Sequence, residues 1–257
     1  MIHPAAIIDP KAEIGAGVDI GPYTIVEKDV FVGEGTKIGP HVVIREGTHI
    51  GKRCQIFQFA SIGEAPQAAF YQGEKTSLLI GDQNIIREFV TLHRGTIKGG
   101  GKTVLGNENF IMAYSHVAHD CQIGNQVVMA NGATLAGHIL IEDHAIIGGL
   151  SAIHQFCRIG AHAIISGLTG VSQDVPPYMM AAGSRAKLYG LNSVGLKRAQ
   201  FSEQTLRALK KAYRIIFRSG LTLEKAMKAV EEDDIFLIPE VRHLLDFIQH
   251  SKRGISR

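Results

Sequence analysis

Aliphatic residues return at every sixth position along most of this chain. The first run is Ile2, Ile8, Ile14, Ile20, Val26, Val32, Ile38, Ile44, Ile50, Ile56 and Ile62. A short second run is Ile80, Ile86 and Leu92. The third is Leu105, Ile111, Val117, Ile123, Met129, Leu135, Ile141, Ile147, Ile153, Ile159, Ile165 and Val171. A period of six fits neither the 3.6-residue turn of a helix nor the alternation of a plain strand. A fixed short period marks a solenoid, and six residues suit one flat side of a coil: a short strand, a corner and one inward anchor. Three sides make an 18-residue triangular coil, so residues 18 apart are expected to stack about 4.8 Å apart in parallel sheets.

Glycine often follows the anchor (Gly15, Gly21, Gly33, Gly39, Gly51, Gly63, Gly81, Gly106, Gly124, Gly148, Gly160), which reads as a backbone bent at positive φ. Four residues after the anchor the chain is small or β-branched (Val18, Thr24, Thr36, Val42, Ala60, Ser115, Val127, Ala133, Ala163), a second inward position where two walls meet. Residues 64–78 keep the phase but put Ala68 and Glu74 where anchors belong, and residues 94–103 shift it by one. Both read as loops, and loops leaving a rigid scaffold are where sites gather.

The repeat ends before Pro176-Pro177, and after residue 190 the texture is helical. Ser202 predicts an N-cap, followed by an apolar stripe of Leu206, Leu209, Tyr213, Ile216 and Phe217, with Ser219-Gly220 as the stop. Thr222 predicts a second start. Pro239 predicts a third, with Val241, Leu244, Leu245 and Ile248 apolar and Gly254 past its end. The expectation is a mostly β chain: a parallel β-helix over 1–189, with loops near 64–78 and 94–103, and a C-terminal helical domain over 190–257.

Composition narrows the function. Cys54, Cys121 and Cys157 all occupy the small inward position and read as buried reduced thiols. Cys121 and Cys157 lie two coils apart, about 9.6 Å, too far to bridge. A net charge of +3 without aromatic-basic interleaving argues against a nucleic-acid binder. No 18-residue apolar run and no signal-like start are present, so a soluble, cytoplasmic protein with no transmembrane segment is expected.

The 18-residue stacking also organises the chemistry. His119, Gly137 and Gln155 fall in one outward column, Asp120 and His138 in the next, and Ala118, Ala136 and His154 in the one before. A base-capable imidazole, a carboxylate and an unhindered peptide N–H thus converge, which is the equipment of acyl transfer. Asp120 reaches His119 only if the corner turns between them, because strand neighbours face opposite ways. Gly149 and Gly167, also 18 apart, form a column without side chains, read either as a conformational need or as a groove. Arg207, Lys210, Lys211, Arg214 and Arg218 share one face of the helix after Ser202.

The repeat resembles that of the hexapeptide-repeat acyltransferases, which implies a left-handed coil. The motifs SHVAHDC, TLAGH, AIHQFCRIG and LNSVGLKR more closely resemble the UDP-N-acetylglucosamine O-acyltransferases that begin lipid A synthesis, over nearly the whole chain. The resemblance implies transfer of a 3-hydroxyacyl group from acyl-carrier protein to the sugar 3-hydroxyl. His119 would be the general base, Asp120 its orienting partner and the Gly137 amide the oxyanion donor. His116, His138, His154, Gln155, Asn192, Arg198 and Gln67 match substrate-contacting positions, and Gly167 with Gly149 would measure the acyl chain. No metal or separate cofactor is implied, since the carrier brings its own phosphopantetheine. The basic face would dock that acidic carrier, and a homotrimer with sites between prisms is implied. Ala68, Phe70 and Ala199 depart from the pattern at positions where charged residues are usual.

Three alternatives remain from the residues alone. A left-handed β-helix zinc enzyme would use the histidines as ligands. The related N-acyltransferase usually carries an extra N-terminal domain, whereas here the repeat begins at residue 2. A scaffold or ice-binding solenoid would need regular threonine ladders.

Overall fold

The computed structural model describes all 257 residues. Three parallel sheets form the walls of a triangular prism, a left-handed parallel β-helix. Sheet I starts at Ile7–Ile8 and has nine strands, sheet II starts at Glu13–Ile14 and has eight, and sheet III starts at Asp19–Ile20 and has ten. The expected register is present: His116 pairs with Thr134, and Thr134 with Ala152. Anchors from Ile20 to Val171 are buried, as are the small residues at the second inward position. Ile2 is 48% exposed and Ile8 and Ile14 are only half-buried, because the first coil has no coil beneath it.

The positive φ expected just after each anchor falls two residues later instead. It belongs to non-glycine corner residues such as Asp120 (+62°), His138 (+61°) and Phe156 (+66°), and among the post-anchor glycines only Gly63 has it. The glycines are needed for close approach: a Cβ on Gly33 would stand 2.6 Å from the Gly51 carbonyl of the next coil.

Both loops leave the edge between sheets I and II. Ser61 pairs with Thr91, 30 residues on, and Thr91 with His116, 25 residues on, so the two coils carry 12 and 7 extra residues. The first excursion runs from the end of strand Ser61–Glu64 to strand Ser77–Ile80. The second runs from Thr91–His93 to Lys102–Leu105 through a 3-10 turn at Ile97–Gly99. All three cysteines are buried and unpaired. Burial pushes Cys121 up to about 12 and Cys157 up to about 11, which makes them inert thiols.

Past the prism, sheet III continues through Met179–Ala182 and an antiparallel strand, Lys187–Leu191, that crosses position 189/190. Helices α1 (Ser193–Arg198), α2 (Glu203–Arg218), α3 (Leu223–Glu231) and α4 (Pro239–Gln249) follow. Ser202 and Thr222 cap α2 and α3 through bonds from Thr205 N and Lys225 N, and Pro239 opens α4. The tail docks on the prism through Phe247, fully buried with the Arg158 guanidinium 4.2 Å above its ring. The Tyr178 hydroxyl meets His243 Nδ1 at 2.8 Å, and His243 Nε2 meets Glu142 at 3.0 Å.

Candidate active site

His119 and Asp120 lie at the corner between sheets I and II, the edge from which both loops emerge. The left-handed φ of Asp120 supplies the turn that an extended strand lacks, and its carboxylate swings back onto its neighbour. Asp120 Oδ2 lies 2.7 Å from His119 Nδ1. The carboxylate is almost entirely buried, the imidazole partly so. Its other partners come from the second loop: Thr96 N–H donates to Oδ1 and the Thr96 hydroxyl to Oδ2, each at 2.7 Å. Asp120 N–H donates to Thr103 Oγ1 at 2.8 Å. Gly99 presses against the carboxylate so closely that a Cβ there would fall on Asp120 Cγ. A carboxylate bonded to Nδ1 leaves Nε2 as the free, basic nitrogen.

One coil on, Gly137 lies over the His119 ring: a Cβ at Gly137 would stand 2.6 Å from Cε1 and 2.9 Å from Nε2. At this turn the backbone ladder runs from His138 N to His119 O (3.0 Å) and from Phe156 N to Gly137 O (3.2 Å), and the Gly137 N–H takes no part in it. His138 lies edge-on to His119, with its Nε2 3.6 Å from Asp120, and its ring stacks on Phe156. His116 Nδ1 meets Thr91 Oγ1 at 2.6 Å. Burial holds both His116 and His138 below the usual histidine range, so each serves as a neutral hydrogen-bonding group. His154 and Gln155 are exposed on the coil above, and Gln67 is exposed on the first loop.

Two participants escape an 18-residue count. His93, only 4% exposed, lies edge-on to His116, and burial lowers it to about 4. Thr96 meets Asp120 across 24 residues; Phe156, stacked on His138, lies 18 residues on and follows the count. The one-residue phase shift over residues 94–103 marks the loop that carries Thr96, but nothing in it singles out that residue or His93.

Other expected residues lie elsewhere in the chain. Both ends of the Asn192 amide are engaged at the edge between sheets II and III: Nδ2 donates to His162 O at 2.9 Å, and Oδ1 accepts from Gly195 N at 3.1 Å. Arg198 is exposed at the end of α1 on that side. Gly149 and Gly167 lie on the edge between sheets III and I. Neither has positive φ, which belongs to Leu150 and Leu168, so the conformational reading of these glycines fails. A Cβ would meet the neighbouring coil's carbonyl at 3.2 Å from Gly149 and 3.3 Å from Gly167. The basic face of α2 divides. Lys210, Arg214 and Arg218 line a cleft of about 770 Å³ beside Tyr189 and Leu191, and Arg218 is tied to the Tyr213 hydroxyl. Lys211 instead pairs with Asp233 at 2.5 Å, with Arg207 on the same flank.

His119, Asp120 and His138 bring their ligand atoms within 4.8 Å of one another. Two ligands at ordinary zinc distances in a tetrahedron stand roughly 3.3 Å apart. The 2.7 Å His119–Asp120 contact would have to open to admit an ion.

A prism of hexad coils carrying a carboxylate-oriented imidazole beneath an open peptide N–H defines a hexapeptide-repeat acyltransferase. A family signature described as a bacterial transferase hexapeptide (six repeats) matches residues 102–137, and one described as UDP-N-acetylglucosamine O-acyltransferase, domain 2, matches 174–256. The chain belongs to the UDP-N-acetylglucosamine O-acyltransferase family. It is 56% identical to the acyl-[acyl-carrier-protein]–UDP-N-acetylglucosamine O-acyltransferase of Janthinobacterium sp. over 100% of this chain and 99% of that one. It is 58% identical to the enzyme of that name from Thermodesulfovibrio yellowstonii, with the same coverage. Among solved structures, the UDP-N-acetylglucosamine acyltransferase of Bacteroides fragilis superposes with a TM-score of 0.97 at 40% identity over the whole of both chains.

Gly137→Ala is expected to push the imidazole off its seat and lower kcat by about 100-fold, with little change in thermal stability; turnover and melting curves on the same preparation check this. The folded-state value of His93, about 4, lies below its ordinary 6.5, so the unfolded chain binds the extra proton between those values. The associated stability is complete above pH 6.5 and is lost as pH falls toward 4, at up to about 1.4 kcal/mol per pH unit. Denaturant melts across this window should show a flatter acid limb for His93→Phe than for the native chain.

Proposed function

We propose that this chain transfers a 3-hydroxyacyl group from acyl-carrier protein to the 3-hydroxyl of UDP-N-acetylglucosamine, the opening step of lipid A synthesis. The observation that carries the reading is the His119–Asp120 pair seated under Gly137, together with relatives that bear this activity in their names. His119 Nε2 takes the proton of the sugar hydroxyl as its oxygen attacks the thioester carbonyl. The Gly137 N–H receives the developing oxyanion, and collapse of the tetrahedral intermediate expels the carrier thiolate. The proton held on Nε2 returns to that thiolate, leaving an ester and a free carrier thiol. Asp120 keeps Nδ1 protonated and stabilises the imidazolium between the two transfers.

The neutral His116 and His138, with His154, Gln155 and Gln67, supply hydrogen bonds to the nucleotide-sugar and the acyl-phosphopantetheine. Lys210, Arg214 and Arg218 offer the acidic carrier a basic cleft. Gly149 and Gly167 leave a strip without side chains for the acyl chain.

Asn192 and Arg198 lie on a different prism edge from His119, so a role for them at the site requires a neighbouring prism. A homotrimer fits this, and an exposed ladder along the sheet III–I edge supplies an apolar seam. In it Tyr23, His41, Phe59, Phe89 and Tyr114 stack ring on ring at 4.9–5.2 Å, with Leu150 and Leu168 exposed farther along the edge. No helix is long and apolar enough to cross a membrane, and three unpaired cysteines suit a reducing cytoplasm.

Purified protein mixed with UDP-N-acetylglucosamine and a panel of hydroxyacyl-carrier proteins tests the reading. Turnover is expected with one donor length preferred, and His119→Ala should lose about 100-fold or more. Robust turnover by that variant would remove the base assignment. Stoichiometric zinc in protein purified without chelator, with no acyl transfer, would favour the zinc-enzyme reading.

A further inference from the structure

We infer that Thr96, on the second loop, is a positioning residue of the catalytic pair and makes with Asp120 and His119 a three-member chain. The inference rests on His119 acting as the base. Three observations carry it. First, Thr96 is 1% exposed and grips both oxygens of the Asp120 carboxylate, its N–H on Oδ1 and its hydroxyl on Oδ2, each at 2.7 Å. Two donors on two oxygens fix the carboxylate plane, which a single bond would leave free to rotate. Second, Oδ2 is the oxygen that meets His119 Nδ1, so the threonine hydroxyl and the imidazole converge on one atom. Third, the same hydroxyl accepts from Gly99 N at 3.2 Å and caps the 3-10 turn. That turn lays Gly99 against the carboxylate from the other side, where no side chain fits.

The second loop is therefore a socket for Asp120. Its 7 extra residues in the coil deliver a backbone donor, a hydroxyl donor and a bare Cα to one carboxylate. The first loop braces the second from outside: Arg94 Nε donates to the Tyr71 hydroxyl at 3.1 Å, and Lys98 Nζ lies 4.3 Å from the Phe70 ring centre. Phe70 serves here as the apolar seat for that lysine.

Thr96→Val keeps the shape and the backbone bond to Oδ1 but removes the hydroxyl, while Thr96→Ser keeps the hydroxyl. Steady-state kinetics should show kcat for Thr96→Val lowered by about 10- to 100-fold with both KM values within about twofold. Thr96→Ser should recover to within about threefold of the native kcat. A general loosening of the loop would instead raise KM and affect both variants alike. The inference is overturned if Thr96→Val keeps native kcat, or if Thr96→Ser is as impaired as Thr96→Val. His119→Ala, assayed alongside, separates the levels: native turnover in it would sink the base assignment, whereas an inactive His119→Ala with a native Thr96→Val would sink only the role of Thr96.

Discussion

The site depends on one backbone conformation, the left-handed turn at Asp120 that returns a carboxylate to the imidazole beside it. In an extended strand these neighbours would face opposite ways, and no pair could form. Left-handed φ is costly for most residues and least so for Asp and Asn. Here it is the rule at most corners, since Tyr23, Gln126, His138, His144 and Leu150 adopt it as well. The coil geometry imposes the turn for structural reasons, and residue 120 is where it serves chemistry. The carboxylate is buried with three partners at 2.7 Å: Thr96 N–H, the Thr96 hydroxyl and His119 Nδ1. A buried charge is tolerable only when satisfied in this way.

The prism divides its labour by edge. The sheet I–II edge carries the dyad, both loops and the neutral histidines. The sheet III–I edge carries the stacked aromatic ladder and the bare Gly149–Gly167 strip. The sheet II–III edge carries His144, His162 and Tyr178, on which the helical tail is seated. The core beneath is a continuous stack of aliphatic side chains that runs into the tail through Leu196, Leu209 and Phe247. A dense, repetitive interior makes a stiff frame, and a stiff frame suits a mechanism in which an imidazole and a peptide N–H must stay aligned.

Much of this was legible in the sequence, because a hexad repeat converts sequence distance into spatial distance. The columns of His119–Gly137 and Asp120–His138 needed only multiples of 18. The glycines misled in one respect: their place after the anchor reflects contact between coils, while the bend belongs to residues such as Asp120 with no sequence mark of it. The partners of Asp120 stayed hidden because the second loop breaks the count, so Thr96 and His93 fall out of phase with the residues they touch. Asn192, read as a contact residue, is also a helix cap bound to the His162 carbonyl, a structural role that no repeat spacing encodes.

The account turns on which nitrogen of His119 carries the proton, and long-range proton–nitrogen NMR of the imidazole reads it directly. With Asp120 bonded to Nδ1, the spectrum should show the Nδ1–H tautomer with a strongly downfield proton that disappears in Asp120→Asn. An Nε2–H tautomer, or one averaging freely between the two nitrogens, would contradict the account, because the nitrogen assigned to receive the acceptor's proton would already hold one.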